Sequence, residues 1–382
     1  MRQIKSFQGV RDYTTCGWAK GAECMLKKQP ANCDWCERFD HFFVKRSESK
    51  KENTMHVICG GGGFIGGHLA KAIGIFSIRA VDKKPLDQWY QKSDLHENFC
   101  LDLSNERMCQ LTCDKADVIY QLAADMGGMG FIERHRVECM RSVLINVHML
   151  EAAYKAGVRK YFFSSSACAY NIDKQQEVTS AGLKESDAYP ANAERGYGWE
   201  KLYSELMAQE YVEERDMEIY IARFHNVYGP NGTWRGGREK APAAICRKVA
   251  EAVITGSNSI DIWGDGTQVR TYMWIDDCIE GIQRIMAEPL LVGVPINLGS
   301  DERITVNEIV DLVEGFAGVK LERRYQLDAP RGVVGRASDN TFIKEALDGW
   351  APSTPFAEGL AKTYAWIFEQ VKAAAEGRQV ID

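Results

Sequence analysis

The chain has 382 residues, of which 45% are hydrophobic and 26% are charged, and its formal net charge is −6. This composition is typical of a globular protein with one large or two ordinary domains, and the scattered basic residues do not indicate a nucleic-acid-binding surface. There is no apolar run of about 18 residues that could span a membrane, and the start MRQIKSFQGV lacks the apolar core of a secretory signal. We expect a cytoplasmic protein with neither a nucleic-acid nor a membrane partner.

The first 54 residues differ in character from the rest of the chain. They are polar, become basic toward SESKKEN and show no clear periodicity. We expect residues 1–54 to be a disordered or extraneous leader, with translation naturally beginning at Met55. A small metal-binding knuckle is the alternative, although the cysteine spacing fits a zinc ribbon poorly. The cysteines in this segment are Cys16, Cys24, Cys33 and Cys36. The other eight are dispersed and are expected to be reduced thiols.

From Met55 onward, short apolar runs alternate with glycine turns and helix-length segments. This alternation predicts a parallel sheet covered on both faces by helices, which is a doubly wound α/β fold. Before the last run, VLINVHMLEAAYKAG has apolar residues at helical spacing and ends at Gly157, as a helix with a glycine cap should. The predicted strands are HVICG, RAVD, NFCLDL, VIYQLA and KYFFSSS. We assign them to a nucleotide-binding domain over residues 55–225.

After about residue 225, glycine-rich loops and shorter helical stretches replace this pattern. The loops are GPNGTWRGGREK and WGDGTQVR, and T-V-N-E at Thr305 to Glu308 is a capping box that predicts the start of a helix. We expect residues 226–382 to form mainly a smaller α/β lobe that binds substrate. The ligand would lie between the lobes, at the carboxyl ends of the strands.

The stretch CGGGGFIGGHLA places G-x-x-G-x-x-G between a predicted strand and a predicted helix, with its glycines at Gly60, Gly63 and Gly66. Glycines there permit a tight turn and let backbone N–H groups approach a pyrophosphate at the helix N-terminus, beside Phe64 and Ile65. Alone, such a turn is a weak signal. In this context it predicts a dinucleotide site.

Two acids strengthen that prediction. Asp82 ends the second predicted strand, about twenty residues after the first glycine, where a carboxylate would accept hydrogen bonds from ribose hydroxyls. Asp102 ends the next apolar run, near the expected position of the adenine. A carboxylate at position 82 would repel a 2′-phosphate, so the sequence favours NAD over NADP, although Lys83 and Lys84 follow it.

The segment GYGWEKLYSELMAQEY has helical composition and carries Y-x-x-x-K at Tyr197 and Lys201. At positions i and i+4 the two side chains share one face of a helix. An ammonium beside a phenol favours the phenolate, so we expect the Tyr197 pKa to be lowered toward neutrality. Such a phenolate can take a hydroxyl proton while hydride leaves for NAD. An ordinary pair on an amphipathic helix is the alternative.

These features together resemble the extended short-chain dehydrogenase/reductase superfamily, whose members act on nucleotide sugars and have a Rossmann-type sheet with a smaller C-terminal lobe. From Met55 onward, the resemblance narrows to the GDP-mannose 3,5-epimerase family, because several long segments agree in order. They are AADMGGMGF (123–131), SSSACAY (164–170), YGWEK (197–201), RFHNVYGPNGTWRGGREKAPAAICRK (223–248), WGDGTQVRTY (263–272) and GRASDN (335–340).

The resemblance implies conversion of GDP-mannose, or a related GDP-hexose, to GDP-L-galactose and GDP-L-gulose. Bound NAD would oxidise C4 transiently, so that the hydrogens at C5 and C3 become acidic beside the new ketone, and hydride would then return to C4. Cys168 and Lys240 would exchange protons on opposite faces of the sugar, with Tyr197 and Lys201 assisting at C4. The resemblance also implies a homodimer and no metal.

The rest of the binding site follows from the same resemblance. Arg336 is assigned to the diphosphate, since a planar guanidinium donates in pairs to phosphate oxygens. The residues implied to line the substrate site are Gly127, Gly128, Ser166, Ala167, Cys168, Asn226, Glu239, Lys240, Ala241, Lys248, Gln268, Arg270 and Arg336.

Three residues depart from the family pattern: Cys59 replaces a threonine before the glycine turn, Asn171 replaces a proline, and Ala169 is smaller than usual. They leave the acid–base set intact but are expected to alter the pocket wall. Because of them, the exact hexose and the inversion of both carbons stay open.

Two other functions are the alternatives. Another NDP-sugar enzyme of this fold is the first. A 4,6-dehydratase would carry an Asp–Glu pair where Ala167 and Cys168 stand, and a simple 4-epimerase needs no Cys/Lys pair. The second is a nucleotide-sensing module without turnover, which would usually lose the pair Tyr197 and Lys201. Deuterium incorporation from D₂O separates an epimerase from such a binder.

Overall fold

The computed structural model describes residues 54–74, 77–329 and 332–381. The expectations for residues 1–53, including the leader and its four cysteines, lie outside the described residues. The chain's internal contacts define one unit over Asn53–Asp382. No helix in the described part of the chain is both long and apolar enough to cross a lipid bilayer.

The strands alternate with helices as the apolar runs predict. In chain order, the strands are β1 (His56–Cys59), β2 (Ile78–Asp82), β3 (Glu97–Cys100), β4 (Val118–Gln121), β5 (Lys160–Ser166), β6 (Glu218–Phe224), β7 (Asn226–Tyr228), β8 (Ser259–Trp263), β9 (Val269–Trp274), β10 (Pro295–Leu298), β11 (Arg303–Thr305), β12 (Glu322–Gln326) and β13 (Gly335–Arg336).

The helices connect and cover these strands. The α-helices are α1 (Phe64–Ile73), α2 (Glu106–Cys113), α3 (Met129–Arg134), α4 (Arg136–Lys155), α5 (Tyr197–Arg215), α6 (Ala241–Thr255), α7 (Ile275–Ala287), α8 (Val306–Ala317), α9 (Thr341–Ala346) and α10 (Phe356–Ala375). Short 3₁₀ helices cover Leu86–Gln88, Ala167–Ala169, Ile172–Gln175, Glu185–Ala188 and Pro289–Leu291.

Seven parallel strands form the large sheet, in the order β10-β6-β5-β4-β1-β2-β3. Successive side chains of a strand face opposite sides of the sheet, so Val57 and Ile58 enter two different hydrophobic clusters. The strand order reverses between β1 and β4, and a crevice opens at the carboxyl ends of the strands at such a point. This is the doubly wound, Rossmann-type fold that the sequence predicts.

The helix termini follow the predicted signals. At the start of α8 the Thr305 hydroxyl accepts from the Glu308 backbone N–H while the Glu308 carboxylate accepts from the Thr305 N–H, which is the predicted capping box. The helix predicted to stop at Gly157 is α4, and Gly157 has φ of +68°. It begins earlier than its apolar pattern, at Arg136.

The second half of the chain builds a small four-stranded sheet and a separate two-stranded sheet, and also returns to the large sheet. Strand β9 pairs with β7, β11 and β13, and β8 pairs with β12. In this small sheet Arg336 on β13 lies opposite Arg270 on β9. Strand β10 meanwhile joins the edge of the large sheet beside β6. The small sheet therefore brings two predicted site arginines together.

Candidate active site

The turn after β1 has the geometry of a phosphate cradle. Gly60 has φ of +83°, and a Cβ placed on Gly66 would lie 2.2 Å from the Gly60 carbonyl oxygen, so these positions accept only glycine. Helix α1 starts at Phe64, and its N-cap, Gly63, contributes no side-chain hydrogen bond. The first backbone N–H groups of α1 therefore stay available to an anion.

The predicted cofactor residues lie around one cavity of about 690 Å³. Asp82 at the end of β2 and Asp102 just after β3 both line it, together with the glycine turn. The Asp82 carboxylate accepts from the Lys84 N–H at 3.0 Å. The cavity lining includes every predicted cofactor residue, namely Gly60, Gly63, Phe64, Ile65, Gly66, Asp82, Asp102, Tyr197 and Lys201. The glycine cradle and the acids of the cavity fit a dinucleotide.

Tyr197 and Lys201 share one face of the first turns of α5. The Lys201 ammonium lies 5.6 Å from the centre of the Tyr197 ring and 4.9 Å from that of Phe163. Both side chains are buried, and Glu200 lies beside Lys201 with a nitrogen-to-oxygen distance of 3.9 Å. The predicted pair is therefore formed, inside the protein rather than at its surface.

The expected lowering of the Tyr197 pKa is not found. Burial raises the pKa of Tyr197 well above its ordinary value, and the nearby Cys168 and Glu200 raise it further, while a hydrogen bond with Ser166 lowers it. The expectation fails because it weighed the Lys201 charge without the loss of solvent around the phenol. Burial also lowers the pKa of Lys201 itself.

The three serines that end β5 differ in their partners. The Ser164 hydroxyl donates to the Gln121 carbonyl oxygen, and the Ser165 hydroxyl donates to the Glu205 carboxylate. The Ser166 oxygen accepts from the Cys168 N–H at 3.2 Å and caps the 3₁₀ turn Ala167–Ala169. All three serines line the cofactor cavity, and Ser166 is the one whose cap presents the Cys168 side chain.

Cys168 is buried, being 7% exposed, and lies among charged groups. Its sulfur accepts a hydrogen bond from Arg336 Nη1 at 3.3 Å. Arg336 Nη2 forms an ion pair with Glu194 Oε2 at 3.0 Å, and Arg336 Nε donates to Gln175 Oε1. Burial raises the pKa of Cys168; Glu194 adds to this, whereas Arg336 opposes it.

These contacts bear on the diphosphate role expected for Arg336. All three nitrogens of its guanidinium already have protein partners, and the side chain is 7% exposed. Arg336 lines the candidate substrate cavity, and its Nη1 points toward the Cys168 sulfur. These bonds use three of its five N–H donors, so two donors remain for a ligand, and the diphosphate role stays a prediction.

Lys240 lies at the N-cap of α6, where the loop that precedes the helix packs on the two predicted glycines. The Gly128 N–H donates to the Arg238 carbonyl oxygen at 2.9 Å, and a Cβ on Gly128 would lie 2.4 Å from the Glu239 carbonyl oxygen. The glycine therefore lets this loop approach closely. Burial lowers the pKa of Lys240, and the nearby Cys168 only partly opposes this.

The predicted substrate residues line a second cavity, of about 280 Å³, that adjoins the first. Tyr197, Ser166 and Lys240 line both cavities. The second cavity includes the whole predicted set: Gly127, Gly128, Ser166, Ala167, Cys168, Asn226, Glu239, Lys240, Ala241, Lys248, Gln268, Arg270 and Arg336. A substrate there would lie directly against the cofactor cavity.

Several polar side chains of the second cavity are held by backbone groups. The Asn226 amide donates to the Thr271 carbonyl oxygen, and Lys248 donates to the Asp261 carbonyl oxygen. Gln268 donates to the Trp263 carbonyl oxygen, but its own Oε1 is buried without a partner among the described residues. This acceptor can therefore receive a hydrogen bond from water or from a bound ligand.

The structure adds residues that the sequence did not reveal. Glu194 contacts both Arg336 and Cys168, and His225 and Trp263 line the substrate cavity. No local motif marks Glu194, because its partner Arg336 is distant in sequence. His225 and Trp263 lie inside the segments that carry the family resemblance, and these segments were the signal available for them.

The three departures from the family pattern lie behind the site. Cys59, Ala169 and Asn171 are buried, and none of them is among the residues that line either described cavity. Asn171 donates to the Pro190 carbonyl oxygen at 2.8 Å. Contrary to the expectation, these substitutions do not form the cavity wall directly.

The fold, the glycine cradle with its two acids and the buried Tyr/Lys pair define an extended short-chain dehydrogenase/reductase. A family model described as the NAD dependent epimerase/dehydratase family matches residues 56–299. A GDP-mannose 3,5-epimerase of Arabidopsis thaliana is 42% identical over 334 residues, which is 86% of each chain. GDP-mannose 3,5-epimerase 1 of Oryza sativa subsp. indica is 43% identical over 319 residues, or 82% of each chain.

A solved structure with this fold is the complex of UDP-glucose 4-epimerase from Thermus thermophilus with NAD. Its TM-score is 0.69 at 21% identity, covering 82% of this chain and 99% of that chain. The chain belongs to the NAD-dependent epimerase/dehydratase family and, within it, groups with the two plant relatives. Its cofactor is NAD.

Proposed function

We propose that this protein epimerises a GDP-hexose, converting GDP-mannose to GDP-L-galactose and GDP-L-gulose. The names of the two plant relatives support the substrate. The observation that carries the proposal is the pairing of Cys168 and Lys240 in one cavity that shares Tyr197 with the cofactor cavity. Inversion at carbon needs one group to remove a proton and another to return one on the opposite face.

The environments of these two groups suit that exchange. A buried thiol with a raised pKa holds its proton near neutral pH, and a buried lysine with a lowered pKa gives its proton up more readily. Lys240 as the amine can then take a proton from carbon while the Cys168 thiol donates one to the other face. A second inversion with the roles exchanged returns both groups to their starting forms.

Tyr197 serves the oxidation that makes those protons acidic. Bound NAD supplies the removal and the return of hydride at C4 of the hexose. Because burial raises the Tyr197 pKa, the phenol first gives its own proton to solvent; the resulting phenolate, hydrogen-bonded with Ser166, then takes the C4 hydroxyl proton and later gives it back. Lys201 lies beside the ring and stabilises the phenolate while it lasts. Burial of the pair keeps water from competing for the proton.

The test replaces each proton carrier. Cys168→Ser and Lys240→Ala are each expected to lower epimerisation by about 10²- to 10⁴-fold, because one face of the sugar loses its acid or base. NAD released from the denatured protein should be unchanged, since neither residue is assigned to the cofactor. Products would be resolved by proton NMR.

The control variants change the same residue types elsewhere. Cys100→Ser alters an exposed thiol and Lys155→Ala an exposed lysine on α4, and both should keep full turnover. Full turnover in either Cys168→Ser or Lys240→Ala would overturn the assignment.

We further propose a homodimer formed through α4 and α5. The two helices pack against each other and carry an exposed apolar face at helical spacing. A two-fold axis would pair this face with the same face of a second copy as a four-helix bundle. Its side chains are Val137, Met140, Leu144, Trp199, Tyr203 and Leu206.

We also propose a cytoplasmic location. The eight cysteines among the described residues are all free thiols. Free thiols of this number suit a reducing compartment. Fractionation of cells that express the tagged full chain would test this, and recovery in a membrane or secreted fraction would contradict it.

A further inference from the structure

Glu194 is a largely buried carboxylate beside the candidate site, and the acid–base scheme gives it no role. Its side chain is 13% exposed and forms an ion pair with Arg336. The Glu194 charge also raises the pKa of the Cys168 thiol. Arg336 therefore links the two groups, because it donates to the Cys168 sulfur and forms the ion pair with Glu194.

The Glu194 backbone also contacts Cys168. The Glu194 N–H donates to the Cys168 carbonyl oxygen at 3.1 Å. A Cβ on Gly198 would lie 2.2 Å from that same oxygen, so the first turn of α5 packs directly on the Cys168 backbone. The position of Glu194 is thus set together with that of Tyr197, which begins α5.

Without Glu194, the positive charge of Arg336 would lie uncompensated beside the sulfur. Its Nη1 donates to Cys168 Sγ, and a guanidinium at that distance stabilises a thiolate. Gln175, which is fully buried, holds the third nitrogen and prevents the guanidinium from turning away. A permanent thiolate could take a proton from carbon but could not donate one.

We propose that Glu194 is a positioning residue for this thiol: its carboxylate holds Arg336 against Cys168 and offsets its charge, so that Cys168 can donate a proton as well as accept one. The inference rests on the proposed function. In the donating step, the S–H bond breaks, the proton forms a C–H bond at the sugar carbon, and the electron pair stays on sulfur beside Arg336. Lys240 holds the proton taken from the other face.

The charges around the sulfur agree with this role. Burial and Glu194 raise the pKa of Cys168 while Arg336 lowers it, and Arg336 lowers the pKa of Glu194 against the effect of burial. The ionisable groups whose charges act on or with Cys168 are Glu194, Arg336, Tyr197, Lys201, Lys240 and Arg270. Glu194 is the carboxylate that raises the pKa of this thiol.

The experiment titrates the Cys168 thiol in the whole protein by the ultraviolet absorbance of the thiolate. For the wild type and for each Glu194 variant, the same protein with Cys168→Ser added is titrated as well, and the difference between the two curves gives the titration of Cys168 alone. Glu194→Gln keeps the shape and removes the charge, so the midpoint should move to lower pH. Glu194→Ala should move it the same way, and guards against one variant failing to fold. Glu194→Asp, which keeps the charge, should move it least.

Glu177→Gln is the matched control, because it makes the same charge change at an exposed carboxylate whose backbone packs on β13. Its midpoint should equal that of the wild type. A Glu194→Gln midpoint that is unchanged, or that moves to higher pH, overturns the proposal. The titration uses no substrate, so its result is distinguishable from a failure of the proposed GDP-hexose chemistry. With GDP-mannose, the Cys168-dependent limb of the pH profile should move in the same direction.

Discussion

Burial sets the direction of the pKa shift for some ionisable residues of this protein, and charged neighbours set it for others. Tyr197 is the clearest case of the first kind, since its pKa is raised although Lys201 lies 5.6 Å from its ring. Arg336 is the opposite case, because Cys168 and Glu194 raise its pKa against the effect of burial. The acid–base behaviour of the site therefore depends on which charges remain paired inside the protein.

Glu185 gives a test of the effect of burial outside the active site. Burial raises the pKa of Glu185 to about 7, against the opposing hydrogen bond from the Asn297 N–H. Between its ordinary pKa near 4.5 and about 7 the folded state binds more protons than the unfolded state, so this group's contribution to stability is lost as pH rises.

Glu185→Gln removes that dependence while keeping the acceptor for Asn297. Relative to wild type, the variant should gain about 2 kcal/mol in free energy of unfolding between about pH 5 and about pH 8. Urea denaturation at the two pH values measures this difference. Glu177→Gln, at an exposed site, should show no such gain. Parallel stability curves for Glu185→Gln and wild type would show that Glu185 ionises normally.

At the scale of elements, the contact between the glycine turn and α1 determines whether the cofactor can bind. A methyl group on Gly66 would lie 2.2 Å from the Gly60 carbonyl oxygen, so Gly66→Ala must displace the turn from the helix. We expect a loss of about 1–3 kcal/mol in stability. NAD should no longer copurify, as measured by chromatography of the denatured protein.

Gly315→Ala is the matched control, because it is also a helical glycine but a Cβ there meets no atom within 4 Å. Alanine favours the helix, so this variant should be more stable by about 0.5–1 kcal/mol and keep its NAD. Equal NAD content in the two variants would contradict the cradle assigned to the turn.

The sequence predicted the elements whose signals are local. Strands β1, β2, β4 and β5 were found because parallel strands buried on both faces are continuous apolar runs. The edge strand β3 was found from its apolar run although it is mostly exposed, and α8 was found because its capping box is a four-residue signal. The small sheet was not predicted strand by strand, since β7, β11 and β13 have three residues or fewer. Such short strands form only when distant segments are already aligned.

The same distinction holds within the site. The Tyr/Lys pair follows from spacing on one helix, and Cys168 and Lys240 followed from the family resemblance. The Cys168–Arg336 contact joins positions 168 residues apart, and Glu194 lies 142 residues from Arg336. No local pattern reveals a contact of that separation, so the cluster that sets the charge of the thiol became visible only in the fold.

For the whole molecule, the exposed face on α4 and α5 predicts the oligomeric state. Light scattering after size-exclusion chromatography should give about twice the monomer mass of 43.0 kDa. Met140→Glu combined with Tyr203→Glu places charges in the face, so this variant should elute as a monomer. Leu95→Glu changes an exposed leucine elsewhere and should remain dimeric. A monomeric wild-type protein would contradict the proposed dimer.

In the proposed reaction, the protein exchanges protons at the carbons on both sides of C4 of a GDP-hexose. Proton NMR of the purified protein with GDP-mannose in D₂O, without added NAD, tests this exchange. We expect deuterium at both C3 and C5, with galactose-type and gulose-type products formed with the NAD that copurifies. Deuterium at one carbon only would contradict the double inversion, and its absence from substrate and products would contradict the assignment of Cys168 and Lys240 as proton carriers for GDP-mannose.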